Sequence, residues 1–170
     1  PIAGYTFQNW SGGTVADENS STTSVTLTQD LNLTANFLGI SHQLNVNSGT
    51  GGSATGSGNF AYGTTAQVTA TPDVGYSFVR WDGNLSFANP FSATTSVTVT
   101  QDANLSASFA VSSYTVSTHV SGQGFASGAG TYLHGSQATL TANAIAGNSF
   151  SGWSGSGISD SNASSITLTI

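Results

Sequence analysis

Gly75-Tyr76-Ser77-Phe78-Val79-Arg80-Trp81-Asp82-Gly83 has two relatives in the same chain. They are Gly4-Tyr5-Thr6-Phe7-Gln8-Asn9-Trp10-Ser11-Gly12 and Gly147-Asn148-Ser149-Phe150-Ser151-Gly152-Trp153-Ser154-Gly155. The tryptophans stand 71 and 72 residues apart, so the chain is a tandem repeat. Downstream, Ser24-Val-Thr-Leu-Thr-Gln-Asp30 matches Ser96-Val-Thr-Val-Thr-Gln-Asp102, and Leu31-Asn-Leu-Thr-Ala-Asn-Phe37 matches Ala103-Asn-Leu-Ser-Ala-Ser-Phe109. Upstream, His42-Gln-Leu-Asn-Val46 answers Tyr114-Thr-Val-Ser-Thr118, and Gly58-Asn-Phe-Ala-Tyr-Gly63 answers Gly130-Thr-Tyr-Leu-His-Gly135. Residues 42–109 are a complete repeat, 1–37 the C-terminal half of another, and 114–170 a third without its last strand. Two explanations of these ends stand open: a segment of a longer array, or a subunit whose end repeats neighbours complete.

Within a repeat the apolar residues alternate. Leu31, Leu33, Ala35 and Phe37 share one face, as do Ala66, Val68 and Ala70, and His42, Leu44 and Val46. This is strand periodicity with β-branched enrichment, and no helical period competes with it. The fold class expected is all-β and mostly antiparallel. Tandem modules of about 72 residues, β-grasp-like or small sandwiches, would form an elongated array with burial shared between neighbours. Gln29-Asp30 and Gln101-Asp102 fall between alternating runs and read as hairpin turns. The segment after each Trp runs 15, 16 and 13 residues to Val25, Val97 and Ile166, which marks a variable surface loop. Leu38–Ser41 and Ala110–Ser113 read as linkers too short for free swinging.

Composition narrows the function. Of 170 residues only 5% are charged, with one Lys or Arg and a net charge of −6. Nucleic-acid binding needs phosphate-neutralising cations, which this chain lacks. No apolar run approaches the roughly 18 residues of a membrane span, so no membrane insertion is expected in this segment. Without cysteine there is no disulfide or thiolate metal site. Scarce Lys and absent Met suit an outward-facing surface.

A strand, a Gly-x-[Phe/Tyr]-x-x-Gly turn, Ala-x-Val-x-Ala-x-Pro, Gly-Tyr-x-Phe-x-x-Trp-x-Gly, and Val-Thr-Val-Thr-x-Asp-x-x-Leu-x-Ala-x-Phe follow one another in residues 42–109. This order resembles the divergent InlB B-repeat family, related to the Listeria–Bacteroides repeats of bacterial surface proteins. Gly63, Pro72, Gly75, Tyr76, Phe78, Trp81, Gly83, Asp102 and Phe109 fall in pattern, whereas Asn148 stands where a Tyr is expected. The resemblance implies compact β-rich modules, β-grasp-like in better-known relatives, serving as spacers, adhesin stalks or accessory modules of secreted and cell-surface proteins. It implies no catalytic residues.

The residues themselves offer little catalysis. Asp30, Asp73, Asp82 and Asp102 sit where turns are expected, and no carboxylate pair is marked out for acid–base work. His42, His119 and His134 lack metal spacing, and His42 and His134 exchange with Tyr114 and Tyr62 between repeats, as packed rings would. No cofactor is expected. Calcium is the one metal with some support, through Ala16-Asp-Glu-Asn19 or Ser159-Asp-Ser-Asn162. Phe and Trp three apart fall on opposite strand faces unless a bulge intervenes. With a bulge, Phe7, Trp10, Phe37, Phe78, Trp81, Phe109, Phe150 and Trp153 are core anchors. Without one, each Trp is an outward platform for a sugar ring. The anchor role is the expectation.

Phe87 and Phe91, which only the complete repeat has in its variable loop, are candidates for a neighbour or partner contact. Asn32 and Asn104, in sequons on the polar side of one strand, are candidates for glycosylation. The expected protein is an extracellular, non-enzymatic stalk or spacer with adhesive capacity. Its partners would be neighbouring repeats or identical subunits, with cell-surface glycans a further class. The first alternative is a filament subunit joined by β-strand complementation, Leu31, Leu33 and Phe37 of one copy meeting Ile166, Leu168 and Ile170 of the next. The second is a carbohydrate-binding accessory module.

Overall fold

Alternating apolar and hydroxyl side chains make strands of most of the chain, and no helix forms among the described residues. The structure is a computed structural model that describes residues 1–158 and 161–170. It divides into two compact units, Pro1–Thr71 with Phe78–Ser108 and Pro72–Ser77 with Phe109–Ile170.

The first unit opens with β1 (Tyr5–Ser11) and β2 (Thr34–Gly39), an antiparallel pair from the partial first repeat. The complete repeat supplies β3 (Ser41–Ser48), β4 (Gly52–Thr55), β5 (Gly58–Ala61), β6 (Thr65–Pro72), β7 (Tyr76–Gly83), β8 (Thr94–Thr98) and β9 (Ala103–Val111). They form a sandwich of two sheets, ordered β5-β3-β9-β7 and β4-β6-β8. Successive strands alternate between the sheets, so none is hydrogen-bonded to the next in sequence. The first and last strands, β3 and β9, lie side by side in parallel, from Leu44 opposite Ala103 to Ser48 opposite Ala107. Leu44, Trp81, Ala103, Leu105 and Ala107 face Ala66, Val68, Ala70, Val97 and Val99 across the core, each at most 4% exposed. Burial of each Leu or Val here contributes about 1.5–3 kcal/mol.

This topology corrects one expectation. Gln101-Asp102 is not a hairpin turn, because β8 and β9 belong to different sheets. Alternation shows which face of a strand is buried and is silent about its partner. The Asp102 carboxylate instead accepts the Gln43 amide at 2.9 Å, which fastens the start of β9 to the start of β3.

The second unit holds β10 (Ser113–Val116), β11 (Gly124–Ser127), β12 (Gly130–Leu133), β13 (Gln137–Ala144) and β14 (Ser165–Thr169). β10 pairs with β12, and β11-β13-β14 form a three-stranded sheet over Ala138, Leu140 and Ile166. Gln137 lies opposite Thr169, as Thr65 lies opposite Thr98. Ile170 bonds Gly135 and Ser136 as Val99 bonds Gly63 and Thr64. Leu168 therefore takes the place of Val97, and Ile166 that of Thr95. The expected match of Ile166 with Val97 was two residues out. A slip of two keeps every side chain on its own face, so periodicity could not detect it. The loop after Trp153 is consequently as long as the one after Trp10.

The partial repeats lose strands that the complete one has. Ser24–Thr28 is no strand, although Ser96-Val97-Thr98 in the same motif belongs to β8. Phe150–Trp153 is no strand, although Phe78–Trp81 lies in β7.

Candidate functional site

Each tryptophan organises the loop that follows it. The Trp10 indole donates to Ser20 O at 2.9 Å, Trp81 to Ser92 O at 3.1 Å and Trp153 to Ala163 O at 3.1 Å. The backbone amides of the same residues donate to Glu18 O, Pro90 O and Ser161 O. The register of β1 against β2 slips between Phe7 and Asn9, a bulge that leaves Gln8 unmatched. That bulge turns Phe7 and Trp10 to one face with ring centroids 5.6 Å apart; Phe78 and Trp81 are 5.8 Å apart, Phe150 and Trp153 5.6 Å. Trp81 is 2% exposed. Trp10, Trp153, Phe7, Phe78, Phe109 and Phe150 are half-buried.

Phe37 departs from the anchor role. Its ring meets Phe7 at 5.9 Å, yet it is 48% exposed, in a sheet of only two strands among the described residues. Phe87 departs from the partner role. It stacks on Trp81 at 6.3 Å and 22° and bridges to Val97, so it roofs its own module's core. Phe91 remains 71% exposed, its amide held by the Asn89 side chain at 3.0 Å.

The residues proposed for strand exchange are engaged within the chain. Phe37 in β2 pairs with β1, and Leu31 and Leu33 lie half-buried beside Gly13. Ile166 and Leu168 pair with Leu140 and Ala138, and Ile170 closes on Ser136. In the complete repeat the strand that follows β8, β9, joins the other sheet beside β3 and not the edge of β8, the counterpart of β14.

The polar candidates mostly serve turns and strand ends. Asp17 accepts the Asn19 amide, a local turn that neutral Asn89 makes with Phe91. Of the second candidate calcium loop, Ser159 and Asp160 lie outside the described residues. Asp82 is no turn residue: it lies in β7 and holds Arg80 through two contacts, Nη2–Oδ1 at 2.6 Å and Nε–Oδ2 at 2.9 Å. His42 Nδ1 lies 3.3 Å from Asp102 Oδ1. The Gln43 amide, then the His42 hydrogen bond, hold the Asp102 carboxyl below the ordinary carboxylate range. Among the described residues no three metal-ligating side chains converge. Asn32 and Asn104 are exposed, with Asn104 Oδ1 accepting the Asn45 amide at 3.2 Å.

The feature built most deliberately is the junction between repeats. The expected linkers are not linkers, since only Ile40 separates β2 from β3, and only Ser112 separates β9 from β10. Within the first unit, the Ile40 amide donates to Gly4 O at 2.8 Å and Tyr62 donates to Ile40 O at 2.9 Å. Within the second, Ser112 donates to Gly75 O at 2.8 Å and His134 to Ser112 O at 2.8 Å. The Tyr62 ring lies over Gly4, where a Cβ would come 2.8 Å from its Cδ1, and the His134 ring lies still closer over Gly75. Both glycines have left-handed backbones, φ +84° and +79°. Each ring has an aromatic neighbour, His42 beside Tyr62 and Tyr114 beside His134, both at 6.1 Å. His and Tyr have thus changed places between two joints with the same backbone bonds. In the sequence Gly4 and Gly75 stand only as the first residues of the repeated Trp segment; the signal for the joint is an aromatic one residue before Gly63 and Gly135 in both repeats.

A family model described as the divergent InlB B-repeat domain matches residues 1–41, 42–113 and 114–170. No curated protein and no solved structure matches the chain.

Proposed function

Since the chain belongs to the divergent InlB B-repeat family, whose repeats are generally associated with bacterial surfaces, we propose that it is an extracellular, non-enzymatic stalk or spacer. The observation that carries this reading is the junction built twice from the same parts. Gly4, Ile40 and Tyr62 recur as Gly75, Ser112 and His134 with the same backbone bonds. A spacer must hold successive modules in a reproducible relation. A single connecting residue, bonded on both sides, removes most of the backbone freedom that a flexible linker of several residues would keep. The side chains support a passive role. Thr, Ser and Asn cover the outward strand faces, and the indole N–H groups are occupied by their own loops.

The test is the distribution of distances between labels placed in the first and third repeats, measured on single molecules across a dilution series. A spacer gives one narrow distribution, unchanged by concentration or by added polysaccharide. A broad distribution would refute the reading. Growth with concentration would favour the filament alternative, and a shift in Trp fluorescence with polysaccharide would favour the accessory-module alternative.

A further inference from the structure

The acceptor half of the junction occurs a third time. Gly147 has φ +84°, against +84° at Gly4 and +79° at Gly75. Its turn is closed by Asn148 N–H to Ile145 O at 3.0 Å, as Tyr5 closes on Ile2 at 3.2 Å and Tyr76 on Asp73 at 3.0 Å. The three turns differ in what covers them. A Cβ on Gly4 or Gly75 would run into the Tyr62 or His134 ring, whereas a Cβ on Gly147 would meet none of the described residues within 4 Å. The Gly4 and Gly75 carbonyls accept the Ile40 and Ser112 amides, and among the described residues no amide donates to the Gly147 carbonyl. Beside this turn Ile145 stands 46% exposed.

We infer that the Gly147 turn is a preformed docking surface for a further repeat of this family. The repeat's Tyr or His, at the position of Tyr62 and His134, covers the glycine. Its amide, at the position of Ile40 and Ser112, bonds the Gly147 carbonyl. Tyr62 and His134 of a second copy are already seated on their own Gly4 and Gly75, so the occupant is a repeat whose aromatic end is free. Two joints in the same chain show the geometry it would adopt. The inference rests on the junction underlying the spacer reading, but it concerns one surface and not the stiffness of the array.

The test extends the full chain by a copy of residues 100–170 joined after Ile170. Because Ile170 holds the place of Val99, Thr100 then continues in register. An aromatic ring over a Cα moves its proton signals upfield. The Gly147 α-protons are expected to match those of Gly4 and Gly75 in the extended chain and to be unshifted in the 170-residue chain. An unshifted Gly147 signal, in an extended chain whose Gly4 and Gly75 signals remain shifted, would overturn the inference. A second measurement needs no extension. Gly75→Ala and Gly147→Ala carry the same backbone strain and differ in the ring above them. Gly75→Ala is expected to lower the melting midpoint of the 170-residue chain by several degrees more, and equal losses would overturn the inference. Neither result depends on the label distances that decide the spacer reading.

Discussion

The complete repeat and the third repeat share their motifs but not their strands. In the complete repeat Phe78–Trp81 belongs to β7, which has one sheet neighbour, β9. In the third repeat Phe150–Trp153 keeps the aromatic contact and both hydrogen bonds of its Trp, yet it forms no strand, and among the described residues no strand pairs with it. The first repeat makes the same point from the other side. Ser24-Val-Thr-Leu-Thr28 has the alternation of β8 and is no strand where no counterpart of β6 is present. Strand formation here is a property of pairs. The Trp and its loop form a more local device, present in all three repeats whatever the sheet does.

The largest effect expected to sharpen that contrast is at the tryptophans. Trp81→Ala empties a core position 2% exposed and should cost about 3–5 kcal/mol. Trp153→Ala, at a half-buried site, should cost clearly less. Urea unfolding of both variants measures the difference, and equal losses would mean that the third repeat is as fully packed as the complete one.

Next come the glycines after each Trp, where two chain segments meet. A Cβ on Gly83 would press on Leu105 and on Asn104 O, the latter at 2.7 Å, whereas among the described residues one on Gly155 would meet only Ile158 Cδ1 at 3.5 Å. Gly83→Ala should therefore cost about 1–3 kcal/mol as the β9 backbone is forced away. Both glycines have positive φ, +159° and +150°, so both substitutions strain the backbone, and Gly155→Ala should cost clearly less than Gly83→Ala because no backbone lies against it among the described residues. A larger drop in thermal midpoint for Gly83→Ala is the expected result, and a matching drop at Gly155 would break the comparison.

The repeat, its strands and the inward Trp were legible because each leaves a local mark. Spacing gave the period, alternation gave the faces, and the three-residue step from Phe to Trp demanded a bulge, found at Gln8. Pairing was not legible. Val97 and Leu105 look like the two arms of a hairpin, yet they face each other from different sheets, a relation settled by contacts distant in sequence. The register of β14 escaped for a related reason, since Ile166 and Leu168 are interchangeable by period. The junction was written in the sequence as Gly4, Gly75, Tyr62 and His134, but a glycine beneath a ring and a glycine in a turn read alike until the ring is placed over it.

A smaller effect is expected at Thr95, 7% exposed, whose Oγ1 accepts the Asn89 amide at 3.0 Å. Thr23 does the same for Asp17 at 3.0 Å in the first repeat, at an exposed bond. Thr95→Val removes the acceptor of a half-buried bond and should cost about 1 kcal/mol. Thr23→Val leaves its amide to solvent and should cost a few tenths at most. Parallel chemical denaturation of the two variants separates these outcomes, and a large loss at Thr23 would show that the loop bond is needed whether or not a second sheet is present.

The smallest effect concerns acid. Asp102 joins the first and last strands of the complete repeat by accepting the Gln43 amide at 2.9 Å, with His42 Nδ1 at 3.3 Å. These contacts favour its charged form and lower its pKa from the ordinary value of 3.8. A carboxyl with a depressed folded-state pKa contributes stability that is present above 3.8 and is lost as the pH falls through the lower folded value. The urea midpoint should therefore drop with acidification below the ordinary carboxylate range. Asp102→Asn should be less stable than the parent at neutral pH and show less of that dependence, because an amide oxygen accepts the Gln43 bond without charge. The carboxylate is open to solvent, so the gap between the two curves will be modest and will narrow in high salt. Parallel curves displaced by a constant amount would mean that Asp102 positions β3 and β9 by shape alone.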